Sequence, residues 1–89
     1  MAWKIKFLPE AHKDLARLDK PVAHRILRFL NDRVKFLDNP REIGQALKGS
    51  ELGKYWKYRV GDYRLIARIL AKEILILIIH IGHRKRIFR

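Results

Sequence analysis

The sequence contains no cysteine among its 89 residues. Disulfide bonds, thiolate metal sites and catalysis by a thiol are therefore excluded. Its single serine, Ser50, has no neighbouring histidine–aspartate arrangement that would activate the hydroxyl as a nucleophile. Acidic residues are scarce, with nine against 21 Lys and Arg, and they are scattered rather than paired. The sequence thus lacks the carboxylate pairs that hold two metal ions for nucleic-acid cleavage.

Long apolar segments are also missing. The longest apolar run, residues 74–79, is far shorter than the roughly 20 residues that cross a bilayer. The N-terminal residues form no apolar signal segment. No glycine loop has phosphate-binding spacing, and the four histidines lack partners at zinc-ligand spacing. We therefore predict a soluble cytoplasmic protein that uses no metal or other cofactor.

A large excess of positive charge dominates what is present. The net charge is +12, whereas the apolar fraction of 48% is ordinary for a folded chain. At this length the chain forms one domain, residues 1–89, because there is no room for two independent cores. Such a charge in so small a domain predicts a polyanionic or strongly acidic partner.

Hydrophobic periodicity predicts an α+β fold. Residues 3–8 alternate apolar and basic side chains, which is typical of a half-buried strand. Pro9 opens a helix to about Asp19, and Pro21 opens a second whose apolar stripe runs from Val22 to Leu37, before Asn39-Pro40. Three strands follow at residues 55–60, 63–70 and 74–81. The expected order is an N-terminal strand, a two-helix hairpin and a three-stranded antiparallel meander, with the helices packed on one sheet face.

Gly61-Asp62 alone separates the first two strands of the meander, which predicts a two-residue hairpin turn. In that register Arg59 lies opposite Arg64, and side chains alternate between the faces. One face carries Trp56, Tyr58, Val60, Tyr63, Leu65 and Ala67, and the other Tyr55, Lys57, Arg59, Arg64, Arg68 and the lone apolar Ile66. Like charges that lie opposite each other destabilise a hairpin by up to about 1 kcal/mol. The basic composition of this second face therefore indicates a phosphate-binding surface rather than a merely solvated one. We expect the basic tail, residues 82–89, to form a second wall of such a site.

Three segments carry a resemblance to a known family: Leu47-Lys48-Gly49, the stretch from Trp56 to Ile66, and Gly82-His83-Arg84-Lys85. Together they resemble the RelE/ParE toxin superfamily, and the order of elements agrees along the whole chain. The resemblance implies a toxin of a type II toxin–antitoxin system. The RelE branch cleaves mRNA in the ribosomal decoding site, whereas the ParE branch poisons DNA gyrase. The Gly82–Lys85 ending is more similar to the RelE branch.

The resemblance also implies roles for individual residues. Arg64 matches the arginine that contacts the scissile phosphate, Arg84 the second catalytic arginine, and Lys57 one of two basic residues that flank the cut. Tyr55 stands where some members have the other lysine, and Phe88 stands where many have a tyrosine. The family chemistry is attack by the ribose 2′-hydroxyl, without a metal. Lys57, Tyr55 and His83 are then the candidates for the acid and base.

Further RNA contacts are expected from Lys54, Arg59, Arg68, Lys85, Arg86 and Phe88. The expected partners are an acidic antitoxin, which forms a hetero-oligomer with the chain, and the ribosome with its mRNA; no membrane is expected. Two alternatives remain open: a gyrase inhibitor without nuclease activity, and a non-catalytic basic module that binds nucleic acid.

Overall fold

A computed structural model describes residues 2–49 and 54–83 of the chain. The elements in chain order are β1 (Lys4–Phe7), α1 (Pro9–Ala16), α2 (Lys20–Arg28), a π-helical turn (Phe29–Arg33), a 3₁₀ turn (Val34–Phe36), a 3₁₀ turn (Pro40–Glu42), β2 (Gln45–Ala46), β3 (Trp56–Val60), β4 (Tyr63–Leu70), a 3₁₀ turn (Ala71–Glu73) and β5 (Leu75–His83). The predicted α+β class and the order of the main elements are confirmed.

Helix α1 begins at Pro9, as predicted, whereas α2 begins at Lys20, one residue before Pro21. Both helices also differ from the prediction in their ends. Helix α1 ends at Ala16, three residues earlier than expected. Helix α2 is regular only to Arg28, and the chain then continues through the π-helical and 3₁₀ turns. Ile26, Leu30 and Val34, all fully buried, recur every four residues. In a regular α-helix, side chains four residues apart are rotated by about 40° relative to each other, so the stripe would turn away from the core. The π-helical turn has more residues per turn, which offsets this rotation and keeps the stripe facing the core.

The sheet has five strands in the order β1-β5-β4-β3-β2. Strands β3, β4 and β5 form the predicted antiparallel meander, and β1 pairs with β5 in parallel. The region between the helices and β3, where no strand was predicted, contains the short strand β2, whose Gln45 and Ala46 pair with Lys57 and Trp56. Strand β5 lies between β1 and β4 in the interior of the sheet. It begins at Leu75, one residue later than predicted, because Ile74 has a positive φ of 50° at the end of a 3₁₀ turn.

The helices cover one face of the sheet and form a single core with it. The fully buried side chains come from both layers: Ala11, Ile26, Leu30 and Val34 from the helical segments, and Tyr58, Leu65, Ala67, Ile76 and Ile78 from the strands. This confirms the prediction that the helices pack on one face. Of the helices in the described part of the chain, none combines the length and apolar composition needed to cross a membrane.

Candidate functional site

The β3–β4 hairpin has the register predicted from its two-residue turn. Val60 pairs with Tyr63, and Arg59 lies directly opposite Arg64. Gly61 takes a positive φ of 59° at the first loop position, which glycine tolerates because it has no Cβ. The register therefore places Lys57, Arg59 and Arg64 on the sheet face away from the core residues Tyr58 and Leu65.

A half-open cavity of about 290 Å³ lies where this basic face meets the end of the helical layer. Within residues 2–49 and 54–83, its lining residues are Phe29, Arg33, Ile43, Gly44, Gln45, Lys57, Tyr58, Arg59 and Arg64. Four of them are cationic and none is acidic. Such a cavity attracts anions strongly, because its charges add and none of the described lining residues carries a negative charge that would neutralise them.

The pKa of the Lys57 ammonium is lowered on this face. Partial burial lowers the pKa of Lys57 below its ordinary value of 10.5, and the nearby charges of Arg64, Lys48 and Arg59 lower it further. A lysine with a lowered pKa exists as the neutral amine at lower pH than usual, and the neutral amine can accept a proton. The environment therefore suits Lys57 for acid–base chemistry.

Two hydrogen bonds from side chains of β3 hold the segment that ends in the cavity-lining residues Ile43 and Gly44. The Tyr58 hydroxyl donates to the main-chain oxygen of Pro40 at 2.6 Å, and the Trp56 indole donates to that of Ile43 at 2.8 Å. Burial raises the pKa of the Tyr58 phenol, so this group acts as a structural donor rather than as an acid near neutral pH. These two bonds fix the segment from Pro40 to Ile43 and thereby position the lining residues that follow it in the chain.

Gly44 permits the close approach of this segment to β3. A Cβ atom at position 44 would lie 2.5 Å from the main-chain oxygen of Lys57 and 2.7 Å from Nε1 of Trp56. The residue also has a positive φ of 82°. Only glycine meets both conditions without displacing its neighbours.

The structure separates the predicted site residues into groups. Lys57, Arg59 and Arg64 line the cavity together. Tyr55 and Lys54 lie just before β3, with the Lys54 ammonium 5.6 Å from the centre of the Tyr55 ring, and neither lines the cavity. Arg68 is half-buried farther along β4 and does not line it either.

His83 lies on the other side of the sheet from Lys57. It is the last residue of β5 and pairs with Tyr63, and the two rings meet edge to face at 5.3 Å. Tyr63 packs against the core under the helices. In this arrangement His83 is not in the Lys57 cavity. The remaining predicted residues, Arg84, Lys85, Arg86 and Phe88, lie outside the described residues.

Two further cations lie at or near this site and were not among the predicted site residues. Arg33 lines the cavity from the end of the helical segment, and Lys48 is close enough to lower the pKa of Lys57. The sequence could have revealed Arg33, because it lies seven residues after Ile26 and four after Phe29 and so interrupts the apolar stripe of the helix with a charge. Lys48 lies in the Leu47-Lys48-Gly49 segment that contributed to the family resemblance.

A second polar cluster joins α1 to β5 and corrects one prediction. His80 was expected to have no ligand-type partner, but its Nδ1 lies 2.8 Å from Oδ2 of Asp14 and 3.4 Å from Oε2 of Glu10. The same Asp14 oxygen accepts a hydrogen bond from the main-chain N–H of Ile81 at 3.0 Å. This carboxylate therefore satisfies a donor on β5 beyond the point where β1 ends. Sequence spacing could not reveal the contact, because Asp14 and His80 are distant along the chain.

Comparisons with known proteins decide the family. Residues 5–88 match the profile of the family described as the ParE toxin of type II toxin–antitoxin systems, parDE. The chain belongs to the RelE/ParE toxin superfamily. The toxin is 27% identical to a RelE-like toxin protein of Escherichia coli over 86 residues, which cover 97% of this chain and 87% of that protein. The family resemblance stated from the sequence is thus confirmed.

Solved structures agree with this assignment. The toxin superposes with a TM-score of 0.82 on a chain of the RelBE2 toxin–antitoxin complex from Mycobacterium tuberculosis, with 25% identity over 94% of this chain and 93% of the other. It superposes with a TM-score of 0.73 on a chain of the archaeal RelE–RelB complex from Pyrococcus horikoshii, with 30% identity over 98% of this chain and all of the other. The shared fold therefore covers nearly the whole toxin.

Proposed function

We propose that this toxin is an endoribonuclease that cleaves mRNA on the ribosome and thereby inhibits translation. The observation that carries the proposal is the cavity in which Lys57, Arg59 and Arg64 meet, with no acidic residue among the described residues that line it. A phosphodiester fits this charge, and the branch of the superfamily that the sequence resembles more closely acts on RNA. The names of the relatives, RelE-like toxin and RelE, support the same choice.

The proposed reaction uses the nucleophile that RNA itself supplies. The ribose 2′-oxygen attacks the adjacent phosphorus while its proton passes to a base. The bond from phosphorus to the 5′-oxygen then breaks, and that oxygen takes up a proton. The products are a 2′,3′-cyclic phosphate and a free 5′-hydroxyl. The reaction consumes no water and needs no metal ion, since cations of the protein take over charge stabilisation.

Within this reaction, Arg64 stabilises the negative charge that develops on the phosphorane oxygens. Loss of one such donor typically costs about 10²–10³ in rate. Lys57 is the favoured base, because its lowered pKa increases the fraction of neutral amine. Arg84 remains the proposed second phosphate contact on the strength of the family resemblance. Tyr55 and His83 are less favoured, because neither lines the cavity with Lys57.

An acidic antitoxin is the proposed protein partner, bound to the toxin in a hetero-oligomer. The two superposed structures are toxin–antitoxin complexes, which supports a partner of this kind for the present chain. The net charge of +12 supports it further, because a large basic field speeds the association of an acidic partner.

The decisive experiment is to mix the purified toxin with ribosomes that carry a defined mRNA and to map the new RNA ends. We expect cuts confined to the decoding site, with a cyclic phosphate on the upstream fragment. Arg64→Ala should reduce the cleavage rate at least about 100-fold. Arg28→Gln, at an exposed position on α2 outside the cavity, is the matched control and should retain the rate. Intact mRNA with active ribosomes would refute the nuclease proposal.

Gyrase inhibition is the second candidate function, because the matching family profile is that of ParE toxins. The ParE branch shares the fold but acts on DNA gyrase. If mRNA stays intact while the toxin causes gyrase-dependent DNA breaks, the second candidate replaces the first. If neither effect occurs and the protein only binds nucleic acid, it is a non-catalytic binding module.

A further inference from the structure

We propose that Arg33 is a substrate-binding residue that holds a backbone phosphate next to the scissile one. The inference rests on the proposed RNA substrate and extends its binding site. In this arrangement the RNA strand runs from the sheet face, past the edge of β3, to the end of the helical segment. Arg33 is then a contact to the substrate on the helical side of the cavity, and Lys57 and Arg64 are contacts on the sheet side.

The position of Arg33 in its helix is unusual for a charged side chain. It is the last residue of the π-helical turn and lies three residues after the fully buried Leu30. By helical spacing it belongs to the stripe that faces the core, where an arginine is rarely buried without a partner. The structure leaves Arg33 exposed, and its side chain lines the cavity. The irregular end of this helix therefore presents a cation to the basic face of the sheet.

The charges around the cavity indicate more than one bound phosphate. Arg33, Lys57, Arg59 and Arg64 surround about 290 Å³, and within residues 2–49 and 54–83 no carboxylate lies within 4 Å of any of the four. Each backbone phosphate carries one negative charge, so a single scissile phosphate leaves most of this charge uncompensated. Successive phosphates of one strand would balance it.

The chemistry of the side chain also suits a phosphate. The planar guanidinium of arginine can donate two parallel hydrogen bonds to phosphate oxygens, so it positions a strand as well as attracting it. Phosphate contacts of this kind fix the register of a nucleic acid relative to the protein. Arg33 would therefore align the scissile bond with Lys57 and Arg64 rather than take part in the reaction itself.

The test measures binding of a short single-stranded RNA with 2′-O-methyl groups, which cannot be cleaved by 2′-hydroxyl attack. The affinity is measured at several salt concentrations for the wild type, Arg33→Gln, Arg33→Lys and Arg28→Gln. Each phosphate contact on a single strand contributes about −0.7 to the slope of log affinity against log salt. We expect Arg33→Gln to reduce the magnitude of the slope by about 0.7, and Arg33→Lys to keep most of it. Arg28→Gln removes the same charge from α2 outside the cavity and should leave the slope unchanged.

Equal slopes for Arg33→Gln and Arg28→Gln would overturn the proposal, since a general loss of charge would then explain both. Failure of the wild type to bind the RNA at low salt would also overturn it. If Arg33→Gln weakened binding of polyglutamate but not of RNA, Arg33 would belong to an acidic protein partner instead. The ribosome assay with the wild type tests the nuclease proposal separately. A toxin that cuts no mRNA but shows the slope change specific to Arg33 would refute the nuclease and keep the RNA contact.

Discussion

Arg59 and Arg64 lie directly opposite each other across the β3–β4 hairpin. A pair of like charges in this position destabilises a hairpin, whereas opposite charges stabilise it by about 0.2–1 kcal/mol. Arg59 is exposed and Arg64 half-buried, and both line the candidate site. The stability lost at this pair is what we expect of a surface that binds an anion.

We predict that Arg59→Glu raises the free energy of unfolding by up to about 1 kcal/mol and weakens RNA binding. For a domain of this size the gain corresponds to a rise of roughly 4–8 °C in the melting temperature. Arg59→Gln, which only removes the charge, should give a smaller gain. Urea unfolding at low and high salt measures both effects, and the gain should shrink at high salt because ions screen exposed charges. A loss of stability in Arg59→Glu would contradict the electrostatic explanation.

The pH dependence of cleavage should reveal the charges around Lys57. Lys48 is one of the residues that lower the pKa of Lys57, so Lys48→Gln should raise this pKa towards its ordinary value. If neutral Lys57 is the base, the cleavage rate rises as pH passes through this pKa, and the curve of Lys48→Gln shifts to higher pH. Lys48→Arg keeps the charge and is the control. Identical pH–rate curves for Lys48→Gln and the wild type would argue against Lys57 as the base.

The lowered pKa of Lys57 also makes the free energy of unfolding depend on pH. In the unfolded chain Lys57 has its ordinary pKa, so between the lowered pKa and about 10.5 the unfolded state binds more protons. The contribution of Lys57 to the free energy of unfolding therefore rises with pH across that window and is unfavourable below it. We expect Lys57→Met to be more stable than the wild type at neutral pH and inactive in cleavage. Chemical denaturation at neutral and alkaline pH measures the difference, which should narrow at high pH.

Two glycines offer a matched test of the wall beside the cavity. Gly44 and Gly49 both have positive φ angles, of 82° and 85°. Only Gly44 is crowded, since among the described residues, chain neighbours aside, none has an atom within 4 Å of a Cβ at position 49. Gly49→Ala should cost about 1–2 kcal/mol from backbone strain alone. Gly44→Ala should cost a further 1–3 kcal/mol or so, because its Cβ would press on Lys57 and Trp56. Denaturant unfolding compares the two, and equal losses would disprove the importance of the close approach.

Asp14 should stabilise the end of β5. Asp14→Ala removes the acceptor of the Ile81 N–H, and an unsatisfied donor of this kind costs about 1–3 kcal/mol. Hydrogen exchange of the Ile81 amide should accelerate in this variant. Glu10→Ala is the control, because the Glu10 side chain is 72% exposed and the Ile81 N–H donates to Asp14 instead. Unchanged exchange at Ile81 in Asp14→Ala would show that the bond contributes little.

Local sequence signals were sufficient for the features that depend on neighbouring residues. Pro9 and Pro21 marked the helix starts, because proline suits the first turn of a helix. Gly61-Asp62 determined the hairpin register and, through strict alternation, the face that carries Lys57 and Arg64. These residues act over a few positions of the chain, so their effect does not depend on the rest of the fold.

Tertiary structure decided the features that join distant segments. The cavity exists because Arg33 and the segment around Gly44 pack beside β3, and the Asp14–His80 contact exists because α1 lies against β5. The register shift between β4 and β5 decided on which face of the sheet the His83 side chain lies. Ala67 pairs with Ile78 but Ile66 with His80, so one extra residue of β5 reverses its alternation. A sequence specifies alternation within each strand, but only the packed sheet determines where a bulge reverses it.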